Sequence, residues 1–138
     1  MAPLWLRPAV WAAAVLVAVA AAVSPSGTAR AEDRATIARN LAENILGKGM
    51  VRSSRLIEDG RAVALVWESA TFKATNSVAV TRELLQAEVQ LAVGAIFHVL
   101  RDVEGVQFVI VHGHRRLCAG RASRVRPLLI RYARDLDG

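Results

Sequence analysis

Residues 61–112 read RAVALVWES (61–69), ATFKATNSVAV (70–80), TRELLQAEVQLAVGAIFHVLR (81–101), DVEG (102–105) and VQFVIVH (106–112). In the first run Val63, Leu65 and Trp67 alternate with Ala62, Ala64 and Val66, so both faces of a strand would be apolar. A strand that is apolar on both faces belongs in the interior of a sheet. The pattern extends it through Phe72 toward Asn76. Trp67 is expected in the core, its indole N–H needing a partner. Thr81 is the expected helix N-cap, with Glu83 in the first turn favoured by the helix dipole. From 82 to 101, Leu85, Val89, Ala92, Ile96 and Val99 form one stripe, widened by Leu84, Leu91, Val93, Ala95 and Leu100. The polar residues Arg82, Glu83, Gln86, Gln90, His98 and Arg101 occupy a narrow opposite face. So wide an apolar arc predicts a helix packed on a sheet and covered on a second side. Asp102–Gly105 is a short turn, and the β-branched run 106–112 is a strand. A long helix between two such strands predicts a right-handed parallel crossover.

Working outward, residues 50–57 (MVRSSRLI) form a weaker strand, and Asp59-Gly60 gives the tight-turn signal of a hairpin into 61–69. Residues 33–46 predict an amphipathic helix burying Ile37, Leu41 and Ile45, with Ala38, Ala42 and Leu46 beside them. Asp33 would cap it, and Gly47 and Gly49 would end it. On the other side, Gly113-His114 turns into a short paired strand at 115–119. Residues 125–134 suit either a helix, with Pro127 in its first turn, or an edge strand. The expected fold is α+β: a two-layer domain at 32–138, with a mixed sheet of three to four strands packed by a long helix.

The first 31 residues read differently. Arg7 is followed by an uncharged apolar run, Ala9–Val23, then Ser24-Pro25-Ser26-Gly27-Thr28 and Ala29-Arg30-Ala31. These are the three parts of a secretory signal peptide ending at Ala31. No Arg-Arg pair precedes the apolar run, which predicts the general secretory route and a periplasmic or extracellular domain. The alternative is an inner-membrane anchor at residues 4–23, interrupted by Arg7 and Pro8. The Ala, Arg and Val bias fits a GC-rich bacterial source.

The chain has 138 residues, 54% hydrophobic and 22% charged, and a single Cys. That excludes a disordered chain, a disulfide scaffold and a thiolate zinc cage within one chain. Its net charge of +6 falls to +4 when Arg7 and Arg30 leave with the leader. The remaining excess gathers late: Arg115, Arg116, Arg121, Arg124, Arg126, Arg131 and Arg134 occupy residues 112–134, which hold no acidic residue. Guanidinium groups bind phosphates and carboxylates bidentately. Arg116, Arg121, Arg124 and Arg126 are therefore the candidate residues for an anionic partner. With only Tyr132 available to stack bases, nucleic acid is disfavoured. An exported domain meets anionic lipid headgroups, cell-wall polymers or acidic proteins instead.

His112, His114 and Cys118 form an H-x-H-x3-C cluster whose donors suit zinc or copper. Arg115, Arg116 and Arg121 surround it and oppose a cation, and a fourth ligand is missing unless His98 or another chain supplies it. The same arginines would favour a Cys118 thiolate, but no Cys-enzyme signature is present. Glu68 is the one acid placed by this reading at the end of an interior strand, where Arg or Lys73 would pair with it. No Gly-rich phosphate loop, Ser-His-Asp pattern or HExxH motif occurs. The sequence thus predicts a non-enzymatic exported domain without a cofactor that binds an anionic envelope component or an acidic protein. The alternatives are a metal or redox site at His112, His114 and Cys118, or a structural protein tethered by a retained leader.

Overall fold

The computed structural model describes residues 27–137, and the leader or anchor read in residues 1–31 lies outside them except for Gly27–Ala31. Glu32–Gly138 forms one compact unit. In chain order the elements are α1 (Gly27–Leu46), β1 (Val51–Ile57), a 3-10 turn (Glu58–Gly60), β2 (Ala62–Glu68) and α2 (Val78–Val99). Then follow β3 (Gly105–His112), β4 (Arg115–Ser123), β5 (Leu129–Tyr132) and a closing 3-10 turn (Arg134–Leu136). The five strands form one mixed sheet in the order β1-β2-β3-β4-β5. Only β2 and β3 are parallel; every other neighbouring pair is antiparallel. The architecture is α+β, with five strands where the sequence predicted three to four. The added strand is β5, whose four residues are too few to show a period.

Strand register explains the layering. Val63, Leu65 and Trp67 lie across from Val106, Phe108 and Ile110, which in turn face Ala122, Gly120 and Cys118. Ile130 and Tyr132 continue this face on β5, and Val51, Ser54 and Leu56 on β1. With Ala38, Ala42 and Leu46 of α1 and Leu85, Val89, Ala92 and Ile96 of α2, they build one core. Trp67 and Phe108 pack at its centre, ring centroids 6.0 Å apart. Both helices therefore cover one face, and among the described residues no helix covers the other. No helix among the described residues is long and apolar enough to cross a membrane.

Three local expectations change. First, α1 buries its alanine stripe, while Ile37 and Ile45 are 38% and 39% exposed. Short side chains let the helix approach the sheet closely enough for the Ser54 hydroxyl to donate to the Ala35 carbonyl at 2.6 Å. Arg34 fixes the same rotation, donating to the Gly60 carbonyl at 2.7 Å and pairing with Asp102 at 2.8 Å. Second, α2 starts earlier, capped by Ser77, whose hydroxyl accepts from the Val80 amide, and β2 stops at Glu68. Third, no described element covers the outer side of α2, where Leu91 and Val99 are 60% and 50% exposed.

What ends β2 is Glu88, a buried carboxylate on α2. Its Oε1 accepts from the Trp67 indole at 3.1 Å and the Ala70 amide at 3.3 Å. Its Oε2 accepts from the Ser69 hydroxyl at 2.6 Å, the Thr71 amide at 3.3 Å and the Thr71 hydroxyl. Ser69 Oγ accepts in turn from the Phe72 amide at 3.0 Å. A carboxylate is acceptor-only, so five converging donors suit it and no neutral amide can replace it.

Glu88→Gln should cost roughly 2–3 kcal/mol in urea unfolding, because its amide NH2 would confront donors. Glu83→Gln, exposed on the same helix, should change stability by less than about 0.5 kcal/mol. At Gly120 an added Cβ would lie 2.0 Å from the Leu129 carbonyl oxygen and 2.7 Å from Phe108 Cζ. Gly120→Ala should therefore cost about 2 kcal/mol or more by forcing β5 off β4. An unchanged urea midpoint would mean that β5 is not seated there.

Candidate functional site

Strands alternate, so Arg116 and Arg121, five residues apart, should point to opposite faces of β4. A bulge cancels that. Ile110 pairs with Cys118 but Val111 pairs with Arg116, leaving Leu117 as an extra residue. Leu117 is fully buried, and the phase resets across it. Arg116 and Arg121 consequently share the open face of the sheet, opposite Val111 and Gln107. Arg131, opposite Ala119 on β5, joins them. These three arginines border a shallow depression of about 400 Å³ floored by Val109 and Ala119.

A larger groove of about 780 Å³ adjoins it at the end of α2, lined by Arg101, Arg121, Arg124 and Arg126 together with Asp102 and Glu104. Its arginines are not equivalent. Arg124 is part of the fold: Nη2 donates to the carbonyls of Phe97 (2.8 Å) and Leu100 (2.9 Å), and Nε to that of Val103 (2.7 Å). Its guanidinium also lies 4.5 Å from the centre of the Phe97 ring. This cation closes the C-terminus of α2, where carbonyls lack partners and the dipole is negative. Arg121 makes a two-pronged pair with Glu58, at 2.5 and 2.7 Å. The hydrogen bonds from Arg121 hold the Glu58 carboxyl below its usual range, and the same pair raises Arg121. Glu58 is presented by an unusual turn in which Glu58, Asp59 and Gly60 all have positive φ. Asp102 is already paired with Arg34. Arg101, Arg116, Arg126 and Arg131 form no ion pair among the described residues.

Of the four arginines marked by the sequence, three line the groove and Arg116 stands on the adjoining sheet face. Arg101 and Arg131 complete the surface. Arg101 read only as the polar end of a helix, and Arg131 as one of the seven arginines of the basic segment, outside the four singled out. Arg101 meets the β4–β5 loop through the tertiary fold, which linear spacing does not record.

The histidines and the cysteine are not brought together. Cys118 lies on the helix-covered face, 1% exposed, and burial, then the nearby Glu88 carboxylate, push its thiol up to about 12. His112 sits at the end of β3 against Phe72, ring centroids 4.8 Å apart, and His114 is exposed in the following turn. Among the described residues no group of three His, Cys, Asp or Glu side chains is placed to hold a metal. Glu68 ties the β3–β4 turn to β1, accepting from the Gly113 amide at 2.9 Å and Arg52 Nη2 at 2.7 Å, with His112 Nδ1 3.6 Å away. The Gly113 bond is the main reason its carboxyl lies below the usual value.

Cys118 should therefore fail to react with a disulfide reagent at about pH 8 in the folded protein and react fully once the chain is unfolded. Fast labelling of the native protein would return the thiol to consideration as a redox group. No protein-family model, curated protein or solved structure matches the chain.

Proposed function

We propose that this is the working domain of an exported, non-enzymatic protein, and that it binds an anionic partner through the arginine groove and the adjoining sheet face. The observation that carries the reading is the grouping of Arg101, Arg121, Arg124 and Arg126 around one depression. The leader features Arg7, Ala9–Val23 and Ala29-Arg30-Ala31 support export. Within the site the work is divided. Arg124 fixes the loop, Arg121 is held in reserve by Glu58, and Arg101, Arg126, Arg116 and Arg131, which have no ion pair among the described residues, meet phosphate or carboxylate oxygens. Binding by such a surface depends on charge complementarity and has no need of a deep apolar pocket.

Inorganic polyphosphate and poly-glutamate serve as probes. The full chain should bind both, and binding should collapse as salt rises from about 0.01 M to about 1 M, where the Debye length falls from ~30 Å to ~3 Å. Arg101→Ala with Arg126→Ala should weaken binding roughly tenfold, since hydrogen bonds to charged groups are the strong ones. Arg39→Ala, which removes a charge on α1, should have little effect. Glu58→Gln should tighten binding by releasing Arg121. Salt-independent binding, or equal losses at Arg39 and at the groove, would overturn the proposal.

A further inference from the structure

Two large apolar side chains stand among these arginines and outside the core. Val125 is 87% exposed and Leu129 68%, the most exposed large hydrophobic residues among those described. Both border the groove with Arg101, Arg121 and Arg126, and Leu129 also borders the sheet-face depression with Arg116 and Arg131. Their outward position is built in. Arg124 is tied to the Phe97 and Leu100 carbonyls at the end of α2 and to that of Val103 in the turn after it, which anchors the base of the β4–β5 loop. Pro127 restricts the backbone between Arg126 and Leu128. The loop therefore presents Val125 and Arg126 to solvent beside Leu129, the first residue of β5.

A dissolved phosphate or a cell-wall polyanion gives Val125 and Leu129 nothing to bury against. An anionic bilayer surface satisfies both kinds of side chain, with phosphates at headgroup depth and hydrocarbon just beneath. We infer that the partner is the surface of an anionic lipid bilayer. Val125 and Leu129 enter the boundary between headgroups and acyl chains, and Arg101, Arg126 and Arg131 hold the lipid phosphates. The inference rests on the anion-binding reading and narrows it to one partner chemistry. An acidic protein would fit the charge equally, but two exposed apolar side chains set among arginines suit a soft interface better than a preformed protein surface.

The test uses the full chain, so that residues 1–31 are common to every arm and differences report on the loop. Val125→Cys is labelled with a polarity-sensitive fluorophore; buried Cys118 leaves the label at position 125. The labelled protein is titrated with phosphatidylglycerol–phosphatidylcholine vesicles, with phosphatidylcholine vesicles and with polyphosphate. A blue shift is expected with the anionic vesicles alone. Val125→Ser with Leu129→Ser should keep polyphosphate affinity within about twofold while losing about tenfold or more in partition to anionic vesicles. Polyphosphate binding without a blue shift on anionic vesicles would overturn the lipid inference and leave the anion-binding reading standing. So would vesicle partition unchanged by the double serine variant. Failure to bind either polyphosphate or anionic vesicles would overturn both.

Discussion

Five hydrogen bonds converge on the carboxylate of Glu88, from the Trp67 indole, the Ser69 and Thr71 hydroxyls, and the Ala70 and Thr71 amides. A buried charge costs several kcal/mol in lost hydration, and only dense donation offsets it. Here the donors are groups that would themselves be stranded. The chain leaves β2 under the helix layer, and the amides of residues 70–71 have no strand partner there. The indole of Trp67 lies in the centre of the core. Glu88 satisfies all of them from α2, the element the connection must reach. One side chain thus sets where β2 stops and how α2 lies over it. The parallel pairing of β2 with β3 rests on that crossover.

The crossover itself was legible in the sequence because its signals are periodic. Two apolar strands and a helix with a stripe at 3.6-residue spacing leave few arrangements. Its lock was not. Glu88 sits within QAEVQ at helical spacing from Leu85 and Ala92, inside the apolar arc, but nothing local shows that five donors will surround it. The two open questions of the C-terminal tail, helix or strand, and how many strands, are answered by Gly120. The lack of a side chain there lets the Leu129 backbone come close enough to add β5 to the sheet. The rotation of α1 was missed for a similar reason. Apolar spacing favoured Ile37 and Ile45, but tertiary bonds from Ser54 and Arg34 favour the smaller alanine face.

The arginines illustrate the gap between composition and position. Seven of them in one acid-free segment signal a basic surface, yet the fold uses them differently. Arg115 pairs with Asp135, Arg121 with Glu58, and Arg124 with the end of a helix. What unites Arg116 with Arg121 on one face is the extra residue Leu117. Strict alternation would have sent one of them toward the helix layer, where an unpaired guanidinium has no place. The bulge keeps both in solvent and at the same time places Leu117 and Cys118 in the core. Sequence spacing cannot show this, because a bulge is defined by the partner strand.

The same helix joins the lock to the proposed site. Glu88, near the middle of α2, fixes the helix over β2, and Arg124 closes its C-terminal end through the carbonyls of Phe97, Leu100 and Val103. That second contact ties the β4–β5 loop to the helix. A loop held only by its two strands would sample many directions, and its exposed apolar residues would collapse onto the nearest surface. Committing one arginine to the helix end prevents this. It places Arg126 and Val125 outward and brings Arg101, the first residue past the C-cap Leu100, to the same groove. The basic surface is thus arranged by the cation that is least available to bind anything else.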